Sequence, residues 1–135
     1  MNNTDLIKTA LDARKYSYSP YSGFAVGAAL LCADGTVYTG CNVENSAFSP
    51  TNCAERTAFF KAVSEGRTDF VKIAVVGGNS PSAPSNYCSP CGVCRQVMKE
   101  FCKDDFEIIM AINETDYKTM TLAEILPLSF DKREV

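Results

Sequence analysis

The chain has 135 residues, of which 46% are hydrophobic and 21% charged, an ordinary composition for a globular protein. This length favours a single domain over residues 1–135 with a sizeable buried core. The net charge of −3, without any dense run of Lys and Arg, argues against a polynucleotide partner and leaves small uncharged ligands open.

The first part of the chain predicts a helix followed by a two-stranded hairpin. Residues Thr4 to Tyr16 have apolar residues at helical spacing, with Thr4 as the candidate N-cap. After a short loop, Val26 to Ala33 predicts a buried strand. Asp34-Gly35 then predicts a tight turn into a second strand, Thr36 to Val43.

The middle of the chain predicts helix, strand and helix. A polar loop leads into a helix from about Asn52 to Glu65, closed by Gly66. Phe70 to Gly77 is an apolar run suited to a central strand. The stretch from Gly78 to Pro90 is rich in Gly, Ser, Asn and Pro and indicates a loop, after which Cys91 to Cys102 shows helical periodicity.

The last part predicts a strand over Phe106 to Ile112 and a short helix from Leu122 to Leu126, broken by Pro127. The resulting order of elements, α-β-β-α-β-α-β-α, is typical of an α/β fold. We expect a three-layer sandwich, in which a mixed sheet of about five strands opens with an antiparallel hairpin and carries helices on both faces.

The expected cellular location of the protein bears on how its cysteines are interpreted. The polar start, Asn2 to Asp5, lacks the order of a signal peptide, so we expect a cytoplasmic protein. The longest apolar stretch is far shorter than the roughly 20 residues of a membrane helix. Seven cysteines in such a protein are typically metal ligands or buried residues rather than disulfides. Because the chain has no histidine, a transition-metal site must use sulfur and oxygen.

Two motifs supply such a site: Cys53-Ala54-Glu55 and Pro90-Cys91-Gly92-Val93-Cys94. Three thiolates can hold one Zn²⁺ per chain and leave a fourth position for water, whose protons a nearby carboxylate can move. All three cysteines lie where a predicted helix begins, and free N–H groups and the helix dipole stabilise thiolates there. If both helices begin at the same end of the sheet, these N-termini converge.

Three thiolates leave Zn²⁺ with a net negative charge, which weakens it as a Lewis acid. Arg56, next to Glu55, can compensate by donating hydrogen bonds to the ligand sulfurs. Arg95, next to Cys94, is a second candidate for this role.

Other interpretations of the cysteines remain open. The C-x-x-C pair alone is also compatible with a redox pair. With Cys88 and Cys53 it gives four sulfurs, enough for a closed structural zinc site or an iron–sulfur cluster. The remaining cysteines fall on strand or helix faces and are predicted core residues: Cys32, Cys41 and Cys102.

The two motifs match the zinc-deaminase signature, in which His or Cys-x-Glu precedes P-C-x-x-C. Across nearly the whole chain the sequence resembles the small, homotetrameric cytidine deaminases. Five segments carry the resemblance: Tyr21 to Ala29, Gly40 to Asn45, Cys53 to Ala58, Ser89 to Gln96, and Leu126 to Phe130.

The resemblance implies the roles at the reacting centre. Cys53, Cys91 and Cys94 would bind zinc, and Arg56 would temper the charge of the thiolates. Glu55 would take a proton from the zinc-bound water, protonate N3 of cytosine and help ammonia leave. A carboxylate beside a metal-activated water is also a natural proton shuttle on chemical grounds.

It also implies how a nucleoside is held. Asn42 and Glu44 would bind the ribose, Glu44 through the 3′-hydroxyl, and two residues this far apart on an extended strand point the same way. Phe24 would pack on the pyrimidine, although its flanking residues also suit plain core packing. The backbone N–H of Ala54 would help hold the base.

Three further residues would close sites near the subunit boundaries of a homotetramer: Ala47, Phe48 and Phe130. Phe48 departs from the family, which often has Tyr there. Without that hydroxyl this position has no polar role.

We therefore predict hydrolytic deamination of cytidine and 2′-deoxycytidine to uridine and 2′-deoxyuridine, with release of ammonia, in pyrimidine salvage. Zinc-bound hydroxide would attack C4, with Glu55 as proton shuttle. The alternatives are a deaminase of a cytosine-containing antibiotic such as blasticidin S, and a non-enzymatic protein with a four-cysteine site. A polynucleotide-editing deaminase is disfavoured by the acidic balance. The preference between ribo- and deoxyribonucleoside stays open.

Overall fold

The computed structural model describes residues 1–132. Its strands β1 to β5 are Phe24–Cys32, Val37–Cys41, Phe70–Asn79, Glu107–Ala111 and Tyr117–Thr121. Its helices α1 to α4 are Asn3–Arg14, Ala54–Ser64, Gly92–Phe101 and Leu122–Ile125. Within this part of the chain, no helix is both long and apolar enough to cross a membrane.

The five strands form one mixed sheet in the order β2-β1-β3-β4-β5. β1 pairs antiparallel with β2 and with β3, β3 pairs parallel with β4, and β4 pairs antiparallel with β5. Asp34 and Gly35 make the predicted turn of the first hairpin, where Gly35 has a φ of 90°. The expected mixed sheet, its opening hairpin and the central position of β3 are confirmed.

Helices cover both faces of the sheet, as the three-layer prediction requires. On one face, Leu6 and Ile7 of α1 are fully buried against the sheet. On the other face, Phe59 of α2, Met98 of α3 and Leu122 of α4 share a second core cluster. Each helix thus buries one apolar stripe against the sheet, which is the arrangement that stabilises such layers.

Two glycines let helices lie directly on strands. A Cβ on Gly40 of β2 would stand 2.2 Å from the carbonyl oxygen of Ala54 and 2.7 Å from the amide of Ala58. A Cβ on Gly27 of β1 would stand 2.1 Å from the carbonyl oxygen of Ala10. Contacts this short exclude any side chain, so these two glycines set the depth at which α2 and α1 pack.

The structure corrects one predicted cap and adds one strand. Asn2, not Thr4, is the N-cap of α1, and its side chain accepts a hydrogen bond of 2.8 Å from the amide of Asp5. Asn and Thr are both good caps, so composition alone did not decide between them. β5 was not located in the sequence because most of Tyr117–Thr121 is exposed on a sheet edge and lacks a buried apolar pattern.

Candidate active site

The three cysteines of the two motifs meet at one point. Cys53 is the N-cap of α2 and Cys91 is the N-cap of α3, while Cys94 lies in the first turn of α3. Their three sulfur atoms lie within 4.8 Å of one another, with 3.7 Å between those of Cys53 and Cys91. The predicted convergence of the two helix N-termini is confirmed.

The environment favours a thiolate in this cluster. Hydrogen bonds from Cys94 and from Arg56 lower the pKa of Cys53 to about 5, despite the opposing effect of burial. The same contact with Cys53, together with burial, raises the pKa of Cys94. The cluster therefore already holds negative charge on sulfur, as a soft divalent cation requires.

Arg56 occupies the position predicted for charge compensation. Its Nη2 donates a hydrogen bond of 3.3 Å to Sγ of Cys53. Burial lowers the pKa of Arg56, but its hydrogen bonds to Cys53 and Cys94 outweigh that effect and raise the pKa overall. Arg56 thus carries a permanent positive charge against the cysteine cluster.

Arg95, the second candidate for that role, lies elsewhere. Its guanidinium donates to the carbonyl oxygens of Pro90 at 2.8 Å and Ile125 at 2.7 Å, and to the hydroxyl of Ser89. Arg95 therefore ties the segment that leads into Cys91 to the end of α4.

Glu55 is buried beside the cluster. It is 3% exposed, and within the part of the chain that the structure describes its Oε1 has no hydrogen-bond partner. Burial raises the pKa of Glu55 to about 7. A buried carboxylate oxygen without a partner is unfavourable unless a ligand or water supplies one. Three sulfur donors with a free carboxylate beside them fit a zinc ion whose fourth position is open to water.

Cys88 does not join the cluster. Among residues 1–132, the sulfurs that lie within 4.8 Å of one another belong to Cys53, Cys91 and Cys94. Cys88 points instead toward β3, where its Sγ would stand 2.8 Å from a Cβ on Gly77. Burial raises the pKa of Cys88 to about 12, so it is a neutral thiol at ordinary pH. This geometry disfavours the four-sulfur alternative.

The predicted core cysteines follow expectation to different degrees. Cys32 is buried in the main core, Cys102 is partly buried and packs against that core, and Cys41 is half-buried.

A cavity of about 350 Å³ opens directly in front of the cysteine cluster. It brings together five residues that the sequence analysis selected: Phe24, Asn42, Glu44, Ala54 and Glu55. Its volume lies at the lower end of the range of small-molecule pockets, about 300–1,000 Å³. The cavity therefore suits a ligand of nucleoside size held against the cysteine cluster.

Asn42 is fixed by hydrogen bonds around its amide. Oδ1 accepts from the amide of Val26 at 2.9 Å and from the hydroxyl of Ser17. Nδ2 donates to the carbonyl oxygen of Phe24 at 2.8 Å. Since the amide group has two N–H donors, this network orients Nδ2 and leaves its other hydrogen for a ligand.

Glu44 is held by the loop that precedes β1. Its Oε1 accepts from the amides of Tyr21 at 3.0 Å and Ser22 at 3.1 Å, and its Oε2 accepts from the hydroxyl of Ser22. These hydrogen bonds, that of the Ser22 hydroxyl first, hold the pKa of Glu44 below its usual value. Glu44 is therefore an ionised acceptor at the mouth of the cavity.

The three residues predicted to close the site lie outside this cavity. Phe48 is 98% exposed and borders a neighbouring groove of about 400 Å³. Ala47 lies in the same exposed loop, and its amide donates to Asn45. Phe130 is exposed, with its carbonyl accepting from Gln96 at 3.2 Å. Their proposed part in closing a site stays a prediction.

Two serines that support the cavity were missed by the sequence analysis. Ser17 bonds to Asn42, and Ser22 bonds to Glu44. Their partners are 25 and 22 residues away along the chain, so no local spacing connects them. The segment Tyr21 to Ala29 contains Ser22, but its residues alone do not indicate which group the hydroxyl bonds to.

The sheet, the cysteine cluster and the buried carboxylate are the features of an α/β protein that can hold a metal ion beside an ionisable group. The family model of the cytidine and deoxycytidylate deaminase zinc-binding region matches residues 1–110. Cytidine deaminase of Sporosarcina psychrophila is 48% identical over 135 residues, covering 100% of this chain and 96% of that protein. Cytidine deaminase of Halalkalibacterium halodurans is 47% identical over 135 residues, covering 100% and 98%.

The fold agrees with these sequence relationships. The crystal structure of cytidine deaminase from Burkholderia pseudomallei superposes with a TM-score of 0.86 at 43% identity, covering 96% of this chain and 100% of that one. The chain therefore belongs to the zinc-dependent cytidine deaminase family of hydrolases.

Proposed function

We propose that this protein hydrolyses cytidine and 2′-deoxycytidine to uridine and 2′-deoxyuridine with release of ammonia. The observation that carries the proposal is the buried Glu55 carboxylate beside three clustered sulfurs at the wall of a nucleoside-sized cavity. Membership of the cytidine deaminase family supports the same reaction.

The metal ligands in this proposal are Cys53, Cys91 and Cys94, with one Zn²⁺ per chain. When bound, zinc supplies a Lewis acid that makes water nucleophilic at neutral pH. Arg56 offsets the charge of the thiolates through its hydrogen bond to Cys53.

Glu55 moves the protons. The oxygen of the attacking water bonds to C4 of the pyrimidine, and the C4–N bond to the amino group breaks. Glu55 takes a proton from the water and gives it to N3, then passes the second proton to the leaving nitrogen, which departs as ammonia. A carboxylate whose Oε1 has no partner in residues 1–132 can do this without first breaking a hydrogen bond.

Four residues hold the nucleoside. Asn42 donates its free amide hydrogen to the ribose, and Glu44 accepts from the 3′-hydroxyl, since both are fixed at the cavity by other bonds. Phe24 packs on the base from the start of β1. Ala54, the first residue of α2, lines the same cavity, and its backbone amide donates to the base.

We further propose that one domain over residues 1–135 assembles as a homotetramer in the cytoplasm and acts in pyrimidine salvage. Ala47, Phe48 and Phe130 would then close sites near subunit boundaries. The exposure of Phe48 and Phe130 supports this, because large exposed apolar side chains favour burial against a partner. Seven free thiols fit a reducing compartment.

Glu55→Gln tests the proposal. The amide keeps the size of the side chain but cannot carry the proton, so we expect zinc content to be unchanged and kcat to fall by roughly 10²–10⁴-fold. The measurements are ammonia release from cytidine and metal analysis of the same sample. Glu100→Gln, an exposed position on α3, is the matched control.

Two results would contradict the proposal. A zinc-loaded Glu55→Gln enzyme with near wild-type kcat would remove Glu55 as the shuttle. Wild-type protein that deaminates blasticidin S much better than cytidine in a competition assay would move the substrate to the antibiotic class.

A further inference from the structure

The hydroxyl of Ser22 stands between two residues that hold the substrate. It donates to Oε2 of Glu44 and accepts a hydrogen bond of 3.0 Å from the amide of Phe24. The backbone amide of Ser22 also donates to Oε1 of Glu44 at 3.1 Å. One serine therefore contacts both oxygens of the ribose-binding carboxylate and the backbone of the base-packing phenylalanine.

Among residues 1–132 the hydroxyl is the hydrogen-bond partner of Oε2 of Glu44, whereas Oε1 is held by the backbone amides of Tyr21 and Ser22. Glu44 is half-buried at the mouth of the cavity, and its carboxylate bonds come from Tyr21 and Ser22. A long side chain with fewer bonds regains rotamer freedom, which a ligand must then remove on binding. Bonds to an ionised carboxylate are also stronger than neutral ones.

The loop also has backbone hydrogen bonds that do not involve this hydroxyl. Gly23 takes a φ of 69°, and its amide donates to the carbonyl of Ser19 at 2.9 Å. Its own carbonyl accepts from the amide of Ser80 at 2.7 Å. Backbone bonds therefore hold the loop on both sides, so removal of the hydroxyl frees Oε2 of Glu44 rather than unfolding the segment.

We propose that Ser22 is a positioning residue that aims the Glu44 carboxylate at the 3′-hydroxyl of the nucleoside and ties it to the backbone of Phe24. This inference rests on the proposed function. Ser22 acts on binding of the sugar, not on the proton transfers at the base. Its contribution is therefore confined to ligands that carry the 3′-hydroxyl, from which Glu44 accepts a hydrogen bond.

Ser22→Ala, tested with three ligands, separates this role from a structural one. For cytidine and 2′-deoxycytidine we expect KM to rise roughly tenfold with kcat nearly unchanged, as for loss of a hydrogen bond to a charged group. For 2′,3′-dideoxycytidine, measured as a competing ligand through its inhibition constant, we expect no change. Zinc content and Tm serve as checks on folding.

Three controls sharpen the result. Ser22→Thr keeps a hydroxyl and should restore most of the affinity. Ser85→Ala, in the exposed 80–90 loop, should leave all three ligands unaffected. In a Glu44→Ala background, Ser22→Ala should add almost nothing to KM, because the two residues act through one interaction.

The contrary outcomes are distinct. Equal weakening of all three ligands would show a general structural role and overturn the proposal, as would no effect on any of them. If the wild-type enzyme does not deaminate cytidine at all, the proposed function fails, whatever Ser22 does.

Discussion

Glu55 shows, at the scale of one residue, that the fold buries a polar group at a cost in stability. An unsatisfied buried polar group costs about 1–3 kcal/mol, and more when it is charged. Glu55 is nevertheless 3% exposed, with Oε1 unpartnered among residues 1–132. The packing of α2 holds it there, between Ala54 and Ala58 that are fully buried. A free oxygen of this kind is what the proposed proton shuttle needs.

Cys88→Ser distinguishes a three-sulfur zinc site from a four-sulfur site that includes Cys88. Because Cys88 is a neutral thiol turned toward Gly77, we expect the variant to keep its zinc and to deaminate cytidine within a few-fold of wild type. Cys53→Ser, which removes a cluster sulfur, should instead lose metal and activity. Metal analysis and the visible absorption spectrum provide the measurement. Loss of metal in Cys88→Ser, or an iron–sulfur spectrum in the wild type, would establish the four-sulfur site.

The sequence predicted the positions of the proposed zinc ligands and of Glu55 better than those of the residues that support the cavity. Cys53, Cys91 and Glu55 sit at helix starts, so local spacing fixes their placement once the two helices begin at one end of the sheet. Ser17 and Ser22 depend on a loop meeting the extended segment after β2, where Tyr18 pairs with Val43. Such long-range contacts leave no periodic signal in the chain.

At the scale of elements, the site depends on how closely α2 lies on β2. Gly40→Ala should destabilise the fold by at least about 2 kcal/mol, since the new Cβ would meet backbone atoms of Ala54 and Ala58 that cannot move independently. We also expect weaker zinc binding, because Ala54 directly follows Cys53, the proposed ligand. Chemical denaturation and zinc titration with a competing chelator measure both effects.

Gly92→Ala is the matched control for stability. A Cβ on Gly92 meets nothing within 4 Å, and the residue lies in the first turn of α3, where Ala is a better helix former. We expect its free energy of unfolding to be equal to or above that of the wild type. If Gly40→Ala were as stable as Gly92→Ala, the close approach of α2 to β2 would not be needed for the stability of the fold.

The elements themselves were predictable where burial imposes a pattern. β1 is mostly buried and β3 has a continuous buried run, and their apolar sequences predicted both strands to within two residues at each end. The exposed edge strand β5 has no such pattern, so the sequence does not predict it. Its pairing with β4 depends on a turn at 112–116 that brings the chain back antiparallel. That pairing is a feature of the folded chain and leaves no pattern within the strand itself.

At the scale of the whole molecule, a single chain leaves large apolar side chains uncovered. Phe48 is 98% exposed, and Leu128 is fully exposed in a left-handed conformation with a φ of 57°. Both features are unfavourable in an isolated chain, because apolar surface stays hydrated and a leucine rarely adopts that backbone region. Burial against a second copy would compensate for both, which supports the proposed homotetramer.

Phe48→Ser tests that assembly and its link to activity. If neighbouring subunits cover the loop of Phe48, the variant should assemble more weakly than the wild-type tetramer, and its KM for cytidine should rise as the complex dissociates on dilution. Sedimentation velocity and kinetics over a range of enzyme concentrations measure the two effects together. Tyr117→Ser, on the edge strand at the far side of the sheet, is the control. A fully active wild-type monomer would show that assembly is not needed for activity. An unaltered tetramer and KM in Phe48→Ser would show that the loop contributes to neither assembly nor catalysis.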